Sequence, residues 1–181
     1  MKTNTTILCL GLLLAVTLSN VPNQLFAQKV VKKKFPIGYS FDSECVGTAL
    51  DGSPVITAWG RGYDKREALK KAYQQAVIEI IFNGTRGNDD ECNTPPLATE
   101  ANTDEEYAKY FNKLLYKNKK YLKYIEKDDR FSRDEGIVYK HPDNKDYLAK
   151  VTVAVLRAKL KKKFVSKDII DKYKKEKKLY R

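Results

Sequence analysis

The chain has 181 residues, 42% hydrophobic and 11% aromatic, with 35 Lys and Arg against 23 Asp and Glu for a formal net charge of +12. That is apolar matter enough for a single-domain core. One histidine in the whole chain excludes a two-histidine zinc site and leaves Ser-His-Asp chemistry with a single base.

Residues 1–27 read as a secretory signal. Lys2 opens it, an apolar run follows from Ile7 to Leu18, and Leu25-Phe26-Ala27 ends in a small residue suited to cleavage after Ala27. Thr17, Ser19, Asn20 and Pro22 interrupt the run, short of the roughly 20 apolar residues a membrane span needs. Thr6-Ile7-Leu8 before Cys9 lack the small residues of a lipobox. Those 27 residues hold one lysine and no acid, so the remainder carries +11. Such an excess attracts anionic surfaces.

Residues 28–43 form a basic lead-in, and one α+β domain is expected over 44–165. "SECVGTAL" and "VITAWGRG" read as strands joined around Asp51-Gly52, with Pro54 pointing to a connection longer than two residues. Trp59 takes a core or sheet-face position. Residues 64–82 carry the clearest helix pattern. Asp64 and Glu67 are spaced for a capping box, and Asn83-Gly84 stops the helix. Ala68, Leu69, Ala72, Tyr73, Ala76, Val77, Ile80 and Ile81 recur as one stripe. Its alanines let the helix approach a sheet closely.

Gly60-Arg61-Gly62 between strand and helix raises the question of a nucleotide loop. Lys65 stands where a dinucleotide fingerprint needs its last glycine, and no Gly-Lys-Ser/Thr ending follows. Asp64 would itself occupy the anion site at the helix N-terminus. The glycines are read as letting the strand turn sharply into a packed helix, and no cofactor is expected.

The polar stretch "TRGNDDECNTPPLATEANTDE" reads as a long surface loop. Its Asp89-Asp90-Glu91 lacks the alternating ligands and closing Glu of a calcium loop, so no metal site is assigned. Without residues 1–27 the chain keeps two cysteines, Cys45 and Cys92, and an even count in an exported protein suggests a disulfide between them. A catalytic thiol is the rival reading, but the lone His141 precedes Pro142 in what looks like a turn.

Thr103 and Glu106 match a second capping box, opening a helix to about residue 118 with Tyr107, Tyr110, Phe111, Leu114 and Leu115 on one face. "KYLKYIEK" fits either a helix or a short strand. Lys117, Lys119, Lys120, Lys123 and Lys127 interleave there with Tyr116, Tyr121 and Tyr124, a mix that either grips phosphates and stacks on rings or sets lysines outward over half-buried tyrosines. "EGIVYK" and "DYLAKVTVAVL" read as a strand hairpin. In the second strand Leu148, Val151, Val153 and Val155 are assigned to the apolar face and Ala149 and Ala154 to the other. Residues 166–181 form a basic tail. From Arg157 onward the chain holds ten lysines, two arginines and three acids, nearly all of the excess charge. Lys161, Lys162, Lys163, Lys174, Lys175, Lys177, Lys178 and Arg181 are the candidate anion-binding residues.

The expected fold is an antiparallel sheet of about four strands, a long Ala-striped helix on one face, and one or two further helices. With "AWGRGYDKREALKKAYQQAVIEIIFNGT" at its centre, this order over residues 44–165 resembles a group of exported bacterial α+β proteins. The N-terminal domain of the flagellar T-ring protein and certain small surface lipoproteins are similar. The resemblance implies a periplasmic or cell-surface location and defines no catalytic residues. The chain reads as a non-catalytic cell-envelope interaction or structural module with an envelope protein as partner. The alternative is a polyanion or anionic-surface binder, its tail meeting acidic lipid or polysaccharide. Export argues against nucleic acid.

Overall fold

A computed structural model describes residues 42–85, 92–100, 102–117, 119–127, 130, 136–142 and 145–170. The signal segment, most of the lead-in, Asp89-Asp90-Glu91 and the last eleven residues, with Lys174, Lys175, Lys177, Lys178 and Arg181, lie outside that set.

Strand β1 (Glu44–Thr48) pairs antiparallel with β2 (Pro54–Gly62). The turn between them is built by Asp51, whose carboxylate accepts from both the Ser53 amide and hydroxyl at 2.9 Å, while Gly52 takes φ +77°. β2 then pairs antiparallel with β5 (Tyr147–Val155) over an unbroken register from Val55↔Ala154 to Gly62↔Tyr147. The far edge of β5 carries β3 (Ile125–Glu126) at one end and β4 (Ile137–Lys140) at the other, giving five antiparallel strands.

Helix α1 (Lys65–Ile78) lies on one face of this sheet. The N-terminus is capped, with the glutamate reaching one residue further back than in a standard capping box. Asp64 Oδ1 accepts from the Glu67 amide at 2.8 Å. The Glu67 carboxylate reaches back to the Tyr63 amide at 2.8 Å, which holds its pKa below the usual carboxylate value. Ala68, Ala72 and Ala76 are fully buried. Opposite them stand Gly60 and Gly62, and neither has a positive φ. A Cβ on Gly60 would meet the Ala72 nitrogen at 2.2 Å and the Ala68 oxygen at 2.3 Å. These glycines therefore serve close approach of helix backbone to strand rather than a sharp turn.

The last turn of the helix widens to π geometry over Glu79–Asn83 and ends at Gly84, φ +74°. There the carbonyls of Ile80 and Ile81 accept from the Leu97 and Ala98 amides. This strand-like crossing also carries Cys92, and the expected Cys45–Cys92 disulfide is present, with Cα atoms 5.7 Å apart. Both cysteines are buried, and Thr85 Oγ1 donates to the Cys92 carbonyl. The crosslink thus ties β1 to the segment that hydrogen-bonds the C-terminal end of the main helix.

Three sequence readings need correction. Thr103 is not an N-cap: α2 (Thr103–Glu106) is preceded by Asn102 at φ +64° with no side-chain cap, and the buried Thr103 hydroxyl donates to the Glu100 carbonyl at 2.7 Å. The helix expected to run on to 118 breaks at Tyr107, resumes as α3 (Ala108–Phe111), and widens to a π turn over Asn112–Tyr116. Buried Gln74 of α1 fixes that turn by donating to the Leu115 carbonyl at 2.5 Å. In β5, Leu148 and Ala149 are on reversed faces. Uninterrupted pairing forces strict alternation, so Ala149 joins Val151, Val153 and Val155 under α1, while Leu148 joins Trp59 and Tyr139 on the opposite face.

The stretch left open between helix and strand contains both: a 3₁₀ turn over Lys120–Tyr124, then β3. Helix α4 (Arg157–Val165) closes the core through fully buried Leu160 and Phe164. Phe164 meets Phe111 edge-on at 5.8 Å, and Phe111 meets Phe82 at 4.9 Å. Ile169, just past the helix, belongs to the same core.

A candidate binding cleft and a basic helix face

The sheet face away from α1 carries the chemistry. Alternation along β2 turns Trp59 and Arg61 to that side, and the β2–β5 register sets them opposite Lys150 and Leu148. The β4–β5 register adds Tyr139 beside Leu148. Trp59, Tyr139 and Leu148 form a small second apolar cluster. Tyr139 stacks near Trp59 at 6.1 Å and Lys150 Nζ lies 5.5 Å from the Trp59 ring centre. With the ring 9% exposed, Trp59 is a wall of the sheet, as expected, rather than an open platform for stacking.

Beside this cluster is a cleft of about 350 Å³, lined by Trp59, Gly60 and Arg61 from β2 and by His141, Asp146, Tyr147 and Leu148 from the β4–β5 hairpin. The His141 amide donates to the Asp146 carbonyl at 2.9 Å and closes the hairpin. Arg61 Nη2 lies 2.7 Å from Asp146 Oδ2, and Arg61 Nε donates to the same oxygen at 2.8 Å. The guanidinium is largely exposed and the carboxylate less so. One wall is thus apolar and aromatic. The other is an ion pair with an imidazole beside it. Mostly apolar walls with a few polar groups are the usual make-up of a ligand pocket. Sequence reasoning missed it because Arg61 and Asp146 are 85 residues apart. The period-two pattern of two apolar strands was readable, but their mutual register was not.

The anion-binding candidates divide. Lys162 and Lys163 are exposed on α4, Lys161 is half-buried there, and the remaining five lie outside the described residues. Of the three tyrosines interleaved with lysines over residues 116–127, only Tyr116 is exposed. Tyr121 and Tyr124 are buried, and burial pushes the Tyr121 phenol up to about 12 and the Tyr124 phenol in the same direction. Lys117, Lys119, Lys123 and Lys127 are exposed. Gly60-Arg61-Gly62 offers no phosphate cradle, since α1 backbone fills the space beside both glycines and the Asp64 carboxylate already accepts from the Glu67 amide in the first turn of the helix. Among the described residues no group of three or more His, Cys, Asp or Glu side chains gathers to hold a metal, and no helix is long and apolar enough to cross a membrane. Comparison with protein families, curated proteins and solved structures finds no match.

Proposed function

We propose that the protein is an exported, non-catalytic interaction module of the cell envelope that grips a protein partner at the Trp59–Arg61–Asp146 cleft. The observation that carries the reading is the Cys45–Cys92 disulfide. It is buried in the core, where it joins the first strand to the segment following the main helix. Such a bond persists in oxidising compartments and is rare in the cytosol. The signal-like N-terminus and the resemblance to exported α+β proteins point the same way. The cleft supports binding rather than turnover: its guanidinium and carboxylate satisfy one another, and its aromatic wall is fixed. Placing a photocrosslinking residue at Arg61 or Tyr147 should trap one discrete adduct in intact producing cells. The same residue at Lys70, on the solvent side of α1, should not. Equal labelling from both positions would refute the cleft as the contact surface.

A second reading, binding to anionic surfaces through the basic C-terminal segment, is favoured by the exposure of Lys162 and Lys163 on α4. Retention on an acidic matrix that fades steeply with salt tests it.

A further inference from the structure

We propose that the outer face of α4 is a docking surface for an anionic lipid bilayer; this rests on the anionic-surface reading above and moves its centre from the tail to the folded domain. Leu160 and Phe164 anchor the inner side of the helix at full burial, and Ile169 locks its end. At 3.6 residues per turn Lys159, Lys162 and Lys163 share an outer arc of about 100°, and Lys167 follows in the next turn. All four are exposed. Among the described residues none of the four has an ion-pair partner, and α4 contains no acid along its length. The acids Glu100, Glu106 and Asp168 gather instead around the Tyr107 phenol, whose hydroxyl donates to the Asp168 carbonyl beyond the helix end. Among the described residues the lysine face is therefore uncompensated, and the packed underside of the helix holds it in place.

The shape of this face selects the partner. A convex helix bearing ammonium groups on flexible stems offers no groove to track a nucleic-acid strand. Point charges on long stems suit a plane of fluid headgroups, where each lysine near the surface contributes independently.

The test uses the full-length oxidised chain and vesicles of phosphatidylcholine with roughly one third phosphatidylglycerol, read by co-sedimentation at low and high salt. The intact protein should bind these vesicles and not vesicles of phosphatidylcholine alone. Lys159→Gln, Lys162→Gln and Lys163→Gln together should weaken binding on the order of ten- to a hundredfold. The corresponding triple arginine variant should restore it, and all forms should melt alike. Removal of residues 174–181 should leave a measurable, salt-sensitive affinity. If the glutamine variant binds like the native chain while the truncation abolishes binding, the anionic-surface reading survives and the α4 proposal fails. If the intact chain ignores the vesicles at low salt, both fail. Preference for a soluble sulfated polysaccharide over the vesicles would overturn the lipid assignment.

Discussion

Replacing Gly60 with alanine adds a single carbon at the tightest contact of any described glycine. Ideal placement puts that carbon 2.2 Å from the Ala72 nitrogen, 2.3 Å from the Ala68 oxygen and 2.7 Å from the Lys71 carbonyl carbon. Ordinary contact begins near 3.4 Å, so helix and strand must part by about 1.2 Å. All three opposing atoms are backbone, and no rotamer change relieves them. Separation also breaks the seating of Ala68, Ala72 and Ala76, each fully buried. Overpacking of this kind costs about 1–3 kcal/mol, and rigid backbone on both sides places Gly60→Ala at the upper end, about 3 kcal/mol. Relief of glycine's backbone entropy returns about 0.5–1 kcal/mol, so the net loss should be about 2–2.5 kcal/mol. Gly52→Ala is the control. It has open space but φ +77°, a left-handed conformation that costs alanine about 1 kcal/mol. Urea denaturation followed by circular dichroism should rank Gly60→Ala well below Gly52→Ala in stability. Equal losses, or a smaller one at Gly60, would refute the close-approach account.

Further outcomes follow from the same packing. Ala72→Leu should destabilise by about 1–3 kcal/mol, whereas Lys71→Leu on the solvent side should stay within about 0.5 kcal/mol in the same denaturation assay. Reducing the disulfide, which spans 47 residues, should lower stability by about 4 kcal/mol, measured as the shift of the urea midpoint with and without reductant. Burial pushes the Tyr110 and Tyr121 phenols up to about 12 from 10. Because the folded value is the raised one, their contribution is intact below pH 10 and is lost as the pH rises through about 12. A phenolate absorbance titration should therefore show two late tyrosines ionising together with unfolding. All phenols ionising together near pH 10 with the fold intact would contradict this.

The local features of the fold were legible in the sequence and the long-range ones were not. Asp64 and Glu67 announce the start of α1 because the capping pair lies within four residues. The alanine stripe marks its buried side for the same local reason. The even cysteine count pointed to Cys45 and Cys92 because no other pairing remained once the signal was set aside. Thr103 and Glu106 gave the same capping signature and misled, because a buried threonine found the Glu100 carbonyl first. The faces of Leu148 and Ala149 follow from strict alternation with Val151, Val153 and Val155, because β5 pairs with β2 without a bulge. The apolar pattern permitted either assignment at the start of the strand. Gly60 and Gly62 looked like a turn or a phosphate loop because the sequence does not show how near the helix passes. The cleft was hidden for the same reason: Arg61 and Asp146 become neighbours only through the β2–β5 register.

The most direct measurement on the export and interaction account is the state of the cysteines in the producing cell. Intact cells are treated with a thiol-reactive polymer that shifts a denaturing gel once per free cysteine, and the sample is then compared with and without reductant. The account predicts no shift before reduction and two after it, from Cys45 and Cys92, with Cys9 gone along with the signal. Cys45 and Cys92 both modified without reductant, or three shifts after reduction, would contradict it.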